Sequence, residues 1–190
     1  MLTDSDSGSA SRSRRFDPDR RNRLIDVTLD VIADEGVAGT SHRRVAARAD
    51  VPLGSMTYHF ASMDELLLEA LTRFSEQASA EFRKELDAAT TAEEAEAAIV
   101  GLITGQHSSA RDLVLTHEIY TLAARKPEFR KITRDWMARD QAMMSQHFDP
   151  VTARMLNALV EGMVLHEALD TEPHDPALSR EAVRRIIHAR

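Results

Sequence analysis

Cysteine is absent from the 190-residue chain, which excludes disulfides and thiolate metal sites and fits a reducing compartment. No apolar run reaches the length of a membrane span, and the first residues hold no apolar segment of a signal peptide. A soluble, cytoplasmic protein with no membrane partner is therefore expected. Glycine is scarce, at seven residues, and no stretch alternates apolar and polar residues at period two, so no strand is read. Also missing are a glycine-rich phosphate loop, a G-x-S-x-G elbow and an HExxH helix. No two of His107, His117, His147 and His166 stand three or four apart on one helix, and Glu161 and Glu167 do not make a catalytic pair. Neither an enzyme, nor a metal site, nor a cofactor is expected.

What is present is apolar enough to bury a core, at 43% of residues, in one large or two small domains. The net charge of -7 disfavours a nucleic-acid partner until its distribution is read. Residues 12–60 hold nine arginines against seven acids, whereas residues 61–190 hold fifteen basic against twenty-two acidic residues. Phosphate contacts depend on where the arginines sit. This polarity points to a DNA-facing N-terminal end on an acidic body.

Residues 1–16 are polar and read as a flexible arm, whose Arg12, Arg14 and Arg15 are candidates for a minor groove or phosphates. Asp17-Pro18 should open a helix with Leu24, Ile25, Thr28, Val31 and Ile32 on one face, ended by Gly36. From Thr40 to Phe60 the spacing predicts two short helices and a tight turn: Val45, Ala46 and Ala49 inward on the first, Pro52 in the turn, Met56 and Phe60 inward on the second. A capping box, Ser62 with Glu65, opens a long helix 63–88. Thr91–Glu94 and Ser109–Asp112 repeat the signal for helices to about Gly105 and to Arg125. Helices 128–148, 151–169 and one after Asp175-Pro176 follow. The fold class is all-α, with about nine or ten helices. Helix 151–169 carries more than one apolar stripe, so it is central to its domain or covered by a second copy; Gly162 within it favours close backbone approach.

The run G36-x3-T40, V45-A46-x2-A49-x-V51-P52-x-G54-S55-x2-Y58-H59-F60, D64-E65-L66 resembles the TetR family of bacterial transcriptional regulators. The resemblance implies a three-helix helix-turn-helix domain over 17–61 and a helical ligand-binding and dimerisation domain over 62–190. It further implies a homodimer on a palindromic double-stranded DNA operator, acting as a repressor that an unknown small-molecule effector releases. Tilting of helix 63–88 would then move the two recognition helices off the spacing of about 34 Å that successive major grooves require. Three positions depart from the family pattern: Asp50 in the turn, Thr57, and Met63 in place of a phosphate-binding lysine.

Arg43 is the expected base-reading residue, by a bidentate fork on guanine, and Arg44 goes to phosphate or solvent. Thr40 and Ser41 can cap the helix or donate to phosphate; Gly54, Ser55, Thr57, Tyr58 and His59 complete the expected DNA contacts. In the body, Phe74, Tyr120, Trp136, Met143, Met155 and Met163 could line a pocket, with His117 and Glu118 orienting a polar ligand; plain core is the alternative for each. The dimer would form through helices 127–148 and 151–169, with Met155, Leu159, Gly162, Met163 and His166 at the contact. A rival of another class is a helical carrier or protein-interaction module that no longer binds DNA, supported by the acidic total and Met63.

Overall fold

The computed structural model describes residues 18–104, 109–171 and 175–188. Among them are nine α-helices and no strand: α1 (Arg20–Gly39), α2 (His42–Arg48), α3 (Leu53–His59), α4 (Met63–Ala88), α5 (Ala92–Ile103), α6 (Ala110–Arg125), α7 (Arg130–Met144), α8 (Pro150–Leu169) and α9 (Pro176–Ile187). Arg12, Arg14, Arg15, Asp17 and His107 lie outside the described residues.

The expected starts and stops hold where local hydrogen bonding enforces them. Ser62, Thr91 and Ser109 each accept the backbone N–H three residues on. The last two make complete capping boxes with Glu94 and Asp112. Glu65 instead reaches past Ser62 to the N–H of Ala61, at 2.6 Å. Asp149 and Asp175 cap α8 and α9 ahead of Pro150 and Pro176. Two helices differ from expectation in their boundaries. Pro127 to Phe129 form a 3-10 turn, so α7 starts only at Arg130, and it stops at Met144 rather than Phe148. The first helix begins at Arg20, two residues after Pro18, and Gly36 breaks it with φ 70° instead of ending it.

Two apolar cores stack along α4. The first joins α1, α2 and α3 through Leu24, Ile32, Val45, Met56 and Phe60 to the start of α4 and the inner face of α6, where Leu115 and Ile119 are fully buried. The second gathers Phe82 and Leu86 of α4 with Ile99, Met143, Leu156 and Val183. The three-helix head is thus not packed by itself: its core runs into the body, and the change from one core to the next falls within α4, between Phe74 and Phe82. Ion pairs reinforce the junction, with Arg73 on Asp26 at 2.8 Å and Lys126 on Asp64 at 2.6 Å.

Candidate DNA-binding surface and effector cavity

The turn between α2 and α3 is fixed by the backbone. Asp50 takes φ 52°, its N–H bonds the carbonyl of Ala47, and the N–H of Val51 bonds that of Ala46 at 3.0 Å. This left-handed C-terminal cap reverses the chain, and Pro52 then sets the start of α3. Met56 is fully buried, which fixes the rotation of α3 and turns its other side outward. On that side Tyr58 is 84% exposed. A side chain added at Gly54 would meet nothing within 4 Å, so the backbone there is open to close approach. Thr57 is exposed and bonds the carbonyl of Gly54 at 3.2 Å, and Ser55 is half-buried. His59 meets Tyr58 edge-on at 4.9 Å. Burial first, then Arg20 and Arg21, lower the basicity of its imidazole, so the ring stands neutral.

On α2, Ser41 caps the helix through the N–H of Arg44. Arg43 is exposed, and its side chain makes no hydrogen bond or ion pair among the described residues. Two expectations need correcting here. Thr40 is buried and donates its hydroxyl to the carbonyl of Gly36 at 2.8 Å, which turns it away from solvent. Arg44 is held by the carbonyl of Gly39, at 2.6 Å, and by Glu35, so its half-exposed side chain ties α1 to α2 and is not a free phosphate donor. The sequence reading also passed over Arg20 and Arg21, whose place at the start of α1 beside His59 depends on a tertiary contact.

Between the two cores, α4, α5, α6, α7 and α8 leave a cavity of about 720 Å³. Its walls include Phe74, His117, Tyr120 and Trp136. Phe74 and Trp136 stand at right angles with ring centres 5.8 Å apart. The other expected pocket residues are elsewhere. Met143 and Met163 are buried in the second core, Met155 is 45% exposed on the outside of α8, and Glu118 points to the head. Periodicity places such residues on a helix face but not on the side that faces a void.

The cavity holds two carboxylates the sequence reading did not assign to it, Asp140 and Glu161. Asp140 accepts from Ser79 at 2.8 Å and from Trp136, and Glu161 accepts from the hydroxyl of Tyr120. Neither makes an ion pair among the described residues. Burial, followed by the nearby Glu161 charge, pushes Asp140 up to about 6. Burial likewise raises Glu161, against the pull of its Tyr120 bond, and raises the Tyr120 phenol. Glu81, Glu85 and Asp112 add negative charge to the wall, and Arg111 is engaged with Asp30 at 2.9 Å. A carboxylate within an apolar stretch of helix was the signal available in the sequence at Glu161.

A two-helix unit that turns an open backbone and a bare tyrosine outward, carried on a hollow helical body, defines a helix-turn-helix DNA-binding protein with a separate ligand chamber. The comparisons agree at every level. Residues 24–70 match the family model of bacterial regulatory proteins of the tetR family, and residues 86–189 match that of the tetracyclin repressor-like C-terminal domain. The chain belongs to the TetR family, and it is a DNA-binding transcriptional regulator. It is similar to SCO7518 of Streptomyces coelicolor A3(2), described as a transcriptional regulator, at 52% identity over 90% of this chain and 99% of that one, TM-score 0.85. The multidrug binding protein EbrR, in complex with imidazole, shares 35% identity over 90% of this chain and 96% of that one, TM-score 0.75; EbrR is also solved with proflavin, ethidium and malachite green. The regulator BetI of Paraburkholderia xenovorans LB400 is 28% identical over 82% of this chain and 85% of its own.

Proposed function

We propose that this regulator is a homodimeric, cytoplasmic repressor that leaves a palindromic operator when an aromatic cation enters the cavity. The observation that carries the effector class is the pair Asp140 and Glu161: two carboxylates that make no ion pair among the described residues, with only the longer-range charge of Arg139 acting on Asp140, on a wall shared with Trp136, Phe74 and Tyr120. Burying such charge is unfavourable until a cation neutralises it, and aromatic faces add attraction for delocalised positive charge. EbrR is solved with aromatic dyes that are cations at neutral pH, which supports the same chemistry here.

The dimer reading rests on α8. Val151, Met155, Leu165 and Leu169 are 40% exposed or more, and with Ala158, Leu159, Gly162 and His166 they follow one stripe along the helix. A side chain at Gly162 would meet nothing of its own chain; Gly162, Leu165 and Leu169 also border the cavity, so the stripe runs along the cavity's edge, with Val151, Met155 and His166 on its outward side. Of the expected contact residues, Met163 is turned inward, into the second core, and Leu159 packs partly against the same core. Arg43, Gly54, Ser55, Thr57, Tyr58 and His59 are the proposed DNA contacts on each protomer.

The test uses duplexes selected by the protein from a random pool, with tetraphenylphosphonium as the probe, a cation too bulky to intercalate. Release of the selected duplex by the cation, and none by a neutral aromatic of similar size, is the expected result. Equal effects of both compounds would overturn the cation assignment, and retention of DNA at saturating cation would overturn effector release.

A further inference from the structure

Helix α6 has two faces with different duties. One carries His117, Tyr120 and Thr121 into the cavity wall. Another grips α1 at two polar points seven residues apart: Arg111 holds Asp30 at 2.9 Å, and Glu118 accepts the backbone N–H of Val37 at 3.2 Å. The partners on α1 are also seven apart and in the same order, so the helices run parallel in register. Seven residues are about 10.5 Å of helix, and α6 cannot slide or turn against α1 without breaking both grips.

The second grip falls on a special piece of backbone. Gly36 at φ 70° interrupts α1 and leaves the N–H of Val37 free of an intrahelical acceptor, so the Glu118 carboxylate supplies one. A Cβ at Gly36 would stand 2.8 Å from Oε1 of Glu118, so the close fit needs glycine both for its φ and for its missing side chain. The same turn then binds the start of α2. The carbonyl of Gly36 accepts from the hydroxyl of Thr40, and that of Val37 accepts from the N–H of Thr40 at 3.1 Å. Ser41, the next residue, caps α2.

We infer that Glu118 is a positioning residue that transmits cavity occupancy to the DNA-binding head: a ligand that displaces α6 through His117 and Tyr120 moves the Gly36–Val37 turn, and with it α2. This rests on the reading that the cavity takes the effector. Both α4 and α6 share the first apolar core with the head, α6 through Leu115 and Ile119; what Glu118 adds is a hydrogen bond made directly to the turn. Glu118 touches neither DNA nor the cavity, and so its removal should leave each binding step in place while uncoupling them.

The experiment measures affinity for a selected duplex with and without saturating tetraphenylphosphonium, for the full-length chain and for Glu118→Ala, Glu118→Leu and Glu118→Gln. The ratio of the two affinities is the coupling factor. In Ala and Leu it should fall at least about fivefold toward one, the scale on which such couplings act, while cation affinity of the DNA-free protein stays within about twofold. Gln, whose amide oxygen can still accept from Val37, should retain the factor, and Leu preserves the bulk if Ala is too unstable to assay. A purely structural role would lower stability in Ala and Leu but leave the ratio alone. An unchanged ratio in both overturns the assignment. A ratio of one in the unsubstituted protein would instead refute effector release, whatever Glu118 does.

Discussion

Arg43 stands on the exposed side of α2 with no side-chain partner among the described residues, whereas Arg44, next to it, is engaged by Gly39 and Glu35. Arg43→Ala should therefore weaken operator binding by roughly 1 to 3 kcal/mol and relax preference at one base pair; competition among singly altered duplexes reads both, and unchanged preference would assign the base contact elsewhere. Asp50 bears a left-handed conformation that glycine adopts more cheaply, and Asp50→Gly should stabilise the fold by about 0.5 to 1 kcal/mol in a denaturant titration. Asp140 gives a pH test with a definite sign. Its carboxyl, raised to about 6, is neutral below that point and anionic above it. Affinity for tetraphenylphosphonium should rise from about pH 5 to about pH 7, and Asp140→Asn should flatten the rise. By linkage, the empty fold holds an extra proton between the ordinary carboxyl range near 4 and about 6, so it becomes less stable as pH rises from about 4 to about 6 and changes little above that. At this scale sequence reading was uneven. Tyr58, Gly54 and Arg43 followed from a motif of fixed spacings, but Thr40 and Arg44 were taken up by contacts with α1, and the chemistry of Asp140 depends on a void no periodicity announces.

The helices themselves were legible because capping is local. Ser62, Thr91, Ser109, Asp149 and Asp175 each satisfy N–H groups within a few residues, so the chain announces these starts by itself. Pro127 misled by two residues, since it opens a 3-10 turn before α7. Rotation about each axis was less legible. On α8 apolar residues occupy more than one face, and only burial separates the inward Leu156, Val160 and Met163 from the more exposed Val151, Met155 and Leu165. The outward stripe carries the prediction for this element: Gly162→Leu should block close helix contact and yield monomers in sedimentation. A variant that still sediments as the dimer would place the interface on another face. The grip of α6 on α1 was hidden for a different reason, since Asp30 and Arg111 are 81 residues apart.

Across the molecule, the charge polarity of the sequence has a structural counterpart. The arginine-rich end supplies the head, and acidic residues line a cavity in the body, the polarity on which the proposed cationic effector rests. The division at residue 61 read from the motif does not appear in the packing, because the first core crosses it through Leu66, Leu67 and Leu71. That continuity gives the body a mechanical hold on the head, which a free-standing head would lack. The account as a whole depends on the head gripping duplex DNA. The most direct measurement is affinity for a selected duplex and for a scrambled duplex as salt is raised. Specific binding whose logarithm falls linearly and steeply with the logarithm of salt concentration is the predicted result. Binding of neither duplex at any salt, or equal binding of both, would contradict it.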